Sequence, residues 1–343
     1  MRRRVRVRVL RSWFLSACAV MATREDLINR VLITKDYNEE GVYAVRFFKG
    51  EWTTVYVDDR FPASTNVYIR NGKGPYRGRP DPAQGKYAVP KFVSSATRDE
   101  LWMMILEKAY AKLFGSYGAI DGGLVHFALA DFTGGEPDML TVTDAEVQPA
   151  VDDGSLFKKL LKYAELGYLL GAGSPSGSDS DVSSLGVVQG HAYSLLQVKE
   201  VNGVQLLQLR NPWGSKEWNG QWSDTDSHSW TRYMKYVGAC VKRYLVVLTS
   251  LDWRCRQKLN YDPEVADADD GMFWISFQDF CRNFEDIYVC KLYKTVAQGG
   301  PWHKYDSVAA ACLRTPCNAH HCTQVYPERR VEGWRGWWLP ELP

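Results

Sequence analysis

The sequence predicts an α+β protein in two parts, helix-rich to about residue 119 and β-rich from there to about 297. Three observations predict it. "TRDELWMMILEKAYAKLFG" (97–115) places apolar residues at 101, 105, 106, 109 and 113 along one helical stripe and ends on Gly115. The glycine-rich "GSYGAIDGG" (115–123) is a candidate hinge. From Gly186 to Leu251 the pattern is mostly β.

The elements follow in chain order. "MRRRVRVR" before "SWFLSACAVMA" has a basic start, a short apolar run and small residues. It reads locally as a signal peptide or an Arg-rich transit peptide, with a core helix as the alternative. "VYAVRFFKGEWTTVYVDDRFP" reads as two strands around Lys49-Gly50, and a Gly/Pro-rich loop follows over 70–90. In the helix at 97–115, Thr97 and Glu100 form a capping-box pattern. "SLFKKLLKYAELG" is a second amphipathic helix. "GAGSPSGSDSDVSS" is a flexible Gly/Ser loop; no helix follows Gly171 and Gly173, so it is no dinucleotide loop. "YLVVL" (244–248) is a buried strand, and "FWISFQDFCRNF" mixes strand and helix signals.

The 343 residues are 45% hydrophobic, enough for one large core or two ordinary ones. A net charge of +2 argues against nucleic acid as a partner. No apolar run reaches the ~18 residues that a spanning helix needs. The eight cysteines lie mostly in apolar runs, as buried thiols of a reducing, intracellular compartment would.

His191 opens a strand and Asn211 ends the next one, with "VNG" between them. A two-residue turn on Asn202-Gly203 would put Asn211 opposite Ser194, facing away from His191. A three-residue bulged loop with Gly203 left-handed would put it opposite Tyr193, on the His191 face. The x-Asn-Gly sequence suits the bulged loop. An amide that fixes an imidazole tautomer makes the base half of a cysteine-protease site. A core histidine beside a turn asparagine is the alternative reading of the same two residues.

"GHAYSLLQV" and "LRNPWGSKEWNGQWSD" resemble the calpain family of calcium-dependent cysteine endopeptidases. So do "GEWTTVYVDDRFP", "ELWMMILEKAYAKLFGSY", "DFTGG" and "DDGMFWISFQDF", in order from about Trp13 to Leu292. The resemblance implies a papain-like core with the groove between two subdomains, 1–119 and 120–297, and protein segments as substrates. It implies that His191 is the catalytic imidazole, that Asn211 orients it and that Trp213 lines the groove. Residues 298–343 resemble the cut-short start of a β-sandwich domain.

The family's nucleophile motif has the form Gln-Gly-x-Leu-Gly-Asp-Cys-Trp-Phe-Leu. Trp13, Phe14 and Leu15 match it, but Ser12 stands at the cysteine, Arg11 at the aspartate and Arg6 at the oxyanion glutamine. Two expectations follow: a calpain-type endopeptidase homologue, N-terminally truncated or divergent in its first subdomain and impaired because Ser12 occupies the nucleophile's position, or a non-catalytic homologue that binds protein segments. A serine hydrolase using Ser12, His191 and Asn211 is the third. Cys18 lies six residues on, about 240° around a helix, and reads as buried packing.

Calcium is also implied by the resemblance. Glu100 matches a ligand in the first subdomain, though its acidic partner falls near Arg3. Glu217, Asp224 and Asp270 match side-chain ligands in the second, with a carbonyl from Ala268. Met272 replaces a further acidic ligand, so binding is expected to be weakened. "CLRTPCNAHHC" (312–322) has zinc-ligand residue types but no zinc spacing.

Overall fold

The structure is a computed structural model that describes residues 11–67, 87–93, 100–178, 180–231, 234 and 270–293. These lie within one compact unit, Met1–Trp302. The segments 244–248 and 298–343, which include Cys312–Cys322, fall outside the described residues, as do Arg3, Arg6, Thr97 and Ala268.

The first described element is helix α1 (Ser12–Ala22), buried from Ser12 to Cys18. A helix that is apolar all round must sit inside the protein. Phe14 packs with Tyr110 and Phe132 at centroid distances of 5.1 and 5.8 Å, and Phe47 closes the group 5.5 Å from Tyr110. Truncating Phe14 to Ala would cost about 3–5 kcal/mol. Around α1 lie α2 (Glu25–Val31), the hairpin β1 (Val42–Phe48) and β2 (Trp52–Asp58), α3 (Trp102–Leu113) and α4 (Val125–Thr133). Strands β3 (Ala63–Val67) and β4 (Tyr87–Pro90) pair separately. Helix α3 starts at Trp102 behind an N-cap at Leu101. Glu100 therefore precedes the cap and cannot occupy the third helical position that a capping box requires.

Among the described residues the second half is a six-stranded antiparallel sheet. Its strands are β5 (Glu136–Thr141), β6 (Leu169–Gly173), β7 (Ala192–Val201), β8 (Val204–Arg210), β9 (Met272–Ser276) and β10 (Asp286–Lys291), in the order β5-β10-β6-β7-β8-β9. Both faces are covered. Leu169, Ala192, Tyr288 and Cys290 meet the α1 cluster. Leu170, Ala172, Tyr193 and Val289 meet a second cluster that includes α6 (Ser155–Glu165) and α7 (Phe277–Asn283), with the short α5 (Gln148–Asp152) ahead of α6. Neighbours in each strand thus serve different cores, as the two-residue pleat dictates. "FWISFQDF" splits at Ser276, whose Oγ accepts from Asp279 N at 3.0 Å and caps α7.

The serine-rich segment after β6 has a hydrogen-bonded frame. Gly190 N donates to Pro175 O at 2.7 Å and Gln189 N to Asp181 O at 2.9 Å. Gly190 has φ +57°, and a Cβ there would lie 2.3 Å from the Gly177 carbonyl oxygen. Only glycine fits the step that leads into His191.

Candidate active site

His191 and Asn211 meet by a route other than the expected bulged loop. Asn202 and Gly203 both have positive φ, +55° and +78°. They form a tight two-residue turn that pairs Val201 with Val204. That turn alone would send Asn211 to the wrong face. The register then shifts between Leu195 and Gln197, which pair with the adjacent Leu209 and Gln208. Leu196 is the extra residue of a β-bulge. Beyond it Ser194 pairs with Arg210, so the next step along sets Asn211 opposite Tyr193.

The pair is buried, His191 at 2% exposure and Asn211 at 0%. His191 Nε2 lies 2.9 Å from Asn211 Oδ1. The amide orientation is fixed independently, because Trp213 N donates to Oδ1 at 3.0 Å and Nδ2 donates to Lys216 O at 3.1 Å. Oδ1 can only accept, so Nε2 carries the proton and Nδ1 is the basic nitrogen of the neutral ring. Ser174 holds the histidine backbone: its Oγ accepts from His191 N at 2.9 Å and donates to His191 O at 3.1 Å. The Trp213 ring lies 4.4 Å from the imidazole, and the Lys216 ammonium 5.3 Å above that indole.

Ser12 starts α1, and its Oγ accepts from Ala192 N, the residue after His191, at 3.2 Å. One turn on, Ser16 Oγ donates to Ala192 O at 2.8 Å. Ser194 Oγ returns a bond to Ser16 O at 3.0 Å. These serines stitch α1 to β7 and hold position 12 against the His191 end of the strand. Ser16 sits four residues after Ser12, on the same helix face, a spacing that could have flagged it. The first-turn N–H groups of α1 also lie here, at the positive end of the helix. Cys18 is fully buried, and burial with the nearby Glu107 charge pushes its thiol well up, so it is packing and not a displaced nucleophile.

The acids matched to calcium are less convergent. Glu217 Oε1 accepts from Gly271 N at 2.7 Å, and Asp270 Oδ1 from Met272 N at 2.9 Å. Both carboxylates are thus engaged by the 270–272 turn. Asp224 lies in the neighbouring loop, and Glu100 is far along the chain, just before α3. Among the described residues, no three His, Cys, Asp or Glu side chains are grouped to hold a metal ion. The Met272 thioether adds no hard oxygen.

The model of calpain family cysteine proteases matches residues 8–243 and 247–291. The chain belongs to the calpain family of cysteine proteases. It is similar to the calpain-type cysteine protease ADL1 of Oryza sativa subsp. japonica, 43% identical over 300 residues, which are 86% of this chain and 12% of that protein. It is also similar to calpain-5 of Mus musculus, 32% identical over 311 residues, 82% of this chain and 41% of calpain-5. The calpain-1 catalytic subunit of Rattus norvegicus is 32% identical over 327 residues, 89% of this chain and 38% of the subunit. The chain therefore spans well under half the length of these curated calpains. The α+β architecture, with helices around α1 and an antiparallel sheet behind them, is that of a calpain protease core.

Proposed function

We propose that this chain is a calpain-type protease core that keeps the base half of the site and the groove but is catalytically impaired by Ser12. The supporting observation is the 2.9 Å contact between His191 and Asn211 with Ser12 bonded to Ala192 beside them. In this reading His191 Nδ1 is the base for a group at position 12. Asn211 keeps Nε2 protonated and stabilises the imidazolium once it forms. The first-turn amides of α1 face charge developing on the carbonyl under attack. Trp213 walls the imidazole from water. A thiol at position 12 could be held as thiolate beside an imidazolium; a serine hydroxyl must lose its proton during attack.

The ligand class is an extended protein segment, bound with or without cleavage. The non-catalytic reading differs from the impaired-protease reading only in what position 12 and the residues before it can do. Calcium, which comes by resemblance, is bound weakly at the second subdomain if at all, so no step is routed through it. We place the protein in a reducing intracellular compartment: Cys18, Cys281 and Cys290 are free thiols, and among the described residues no helix is long and apolar enough to cross a membrane. The test is cleavage of a fluorogenic peptide by the chain, with His191→Ala as control. No His191-dependent cleavage is expected; robust cleavage would favour a serine hydrolase built on Ser12.

A further inference from the structure

Arg11 directly precedes Ser12 and is fully buried at 0% exposure. Its Nη1 donates to Glu107 Oε1. Its Nη2 donates to Tyr117 O at 2.7 Å and to Asp121 Oδ1 at 2.8 Å. The guanidinium also lies 4.4 Å from the centroid of the Phe92 ring, which stacks on Tyr117 at 4.1 Å. Glu107 is itself buried, and its Oε2 accepts from Val93 N at 3.0 Å. One side chain thus ties the start of α1 to α3, to the 117–121 segment and to the 92–93 segment.

Helix stability does not explain this arrangement. A cation at a helix N-terminus opposes the helix dipole, and Arg11 makes no side-chain cap. A buried ion pair is weak evidence for stability, because well-packed apolar residues often do as well. Arg11 Nε is also buried with no partner among the described residues. The best-attested use of such a pair is to set register. Register matters at this point of the chain: Arg11 reaches Glu107 on α3, and Ser12, the next residue, reaches Ala192 on the sheet. A one-residue slide of the first turn would swing position 12 by about 100°.

We propose that Arg11 is a positioning residue: locked on Glu107, Asp121 and the Tyr117 carbonyl, it sets the register of the first turn of α1 and holds the position-12 side chain beside His191. This inference rests on the pairing of position 12 with His191 proposed above. The test uses Ser12→Cys in the full chain as a reporter, with iodoacetamide alkylation of residue 12 followed against pH by peptide mass spectrometry. At about pH 6, the introduced thiol is expected to react roughly tenfold faster than in the same protein carrying His191→Ala. Adding Arg11→Met with Glu107→Met replaces the ion pair by apolar side chains. That protein is expected to melt at or above the parent temperature yet lose most of the tenfold advantage, with Arg11→Lys falling between. A folded double variant that keeps the parent's pH profile overturns the proposal. Should the double variant fail to fold, Asp121→Ala alters a mostly exposed partner. It should lower the rate about two- to fivefold, and an unchanged rate also overturns the proposal. A residue-12 thiol that reacts without any dependence on His191 sinks the earlier pairing and this inference with it, whereas loss only in the Arg11 arms supports it.

Discussion

His191 and Asn211 face each other because Leu196 is one residue too many. The tight turn at Asn202-Gly203 sets a register that the bulge then corrects by one step. The inward-facing residues of β7 record the correction: Tyr193 and Leu195 are two apart, but Leu195 and Val198 are three apart. Asn211 then satisfies three groups at once, His191 Nε2, Trp213 N and Lys216 O.

Asn211→Ala should therefore be costly for stability as well as for any chemistry. It strips a buried acceptor from two donors and a donor from one carbonyl. Each orphaned buried group costs about 1–3 kcal/mol, and partial relaxation leaves an expected total of roughly 2–4 kcal/mol. Urea denaturation would read this as a lowered midpoint at unchanged m-value. A loss under about 1 kcal/mol would mean that the amide is not the hub described.

Much of the fold was legible because its signals are local. Gly115 lies at the end of α3, the two strands around Lys49-Gly50 form β1 and β2, and "SLFKKLLKYAE" forms α6 with Leu156, Phe157 and Leu160 inward. What was not legible depends on distant partners or unmarked irregularity. Leu196 carries no Gly or Pro to announce a bulge, so the sequence points to the loop for the same outcome. Arg11 reads as a misfit when isolated, since its partners lie 96 to 110 residues away. Glu100 fits a capping box in sequence, but the helix starts at Trp102, four residues after the start that such a box would set. The site was legible as residue types; its assembly depends on contacts such as Ser12 with Ala192, 180 residues apart.

His126 predicts a pH effect unconnected with the site. It is buried in the first turn of α4, with its ring 5.4 Å from that of Tyr288. Burial lowers its pKa to about 4, and the Asp138 charge opposes this only in part. The unfolded chain, with a pKa near 6.5, therefore binds more protons between about pH 6.5 and 4. The stabilisation is fully present above about pH 6.5 and is lost as pH falls through this window, by up to about 3 kcal/mol. His126→Phe keeps an aromatic ring against Tyr288 and should flatten the stability curve there. Equal acid sensitivity of the two proteins would rule this out.

Calcium binding should be weak and asymmetric. Glu217 and Asp270 are engaged by backbone amides, and Met272 contributes no charge. Affinity in oxygen-ligand sites rises with ligand charge and rigidity, so a Kd above about 100 μM is expected for at most one ion. No second ion should bind near Glu100, where the resemblance places Arg3. Isothermal calorimetry on the full chain decides it: two ions bound at micromolar affinity would contradict the asymmetry.

The last prediction concerns turnover at Ser12. A cysteine with an ordinary pKa near ~8.5 can be stored as thiolate beside an imidazolium; a serine cannot, and depends on an aligned base and a strong oxyanion site. Here the Ser12 Oγ accepts a hydrogen bond from Ala192 N, which draws on the lone pairs that would attack. Arg6 stands where the resemblance places the oxyanion glutamine. Loss of a nucleophile costs on the order of a millionfold in turnover. No measurable peptide hydrolysis is expected, with or without calcium. Ser12→Cys should gain thiol reactivity but little turnover, because activating a nucleophile does not supply the missing oxyanion donor. Replacing residues 1–10 by a segment ending in Gln-Gly-x-Leu-Gly, with Arg11 kept and Ser12→Cys, should restore part of it, and His191→Ala should abolish what is restored. If Ser12→Cys alone cleaves as fast as the grafted protein, the segment before position 12 is not what impairs this core.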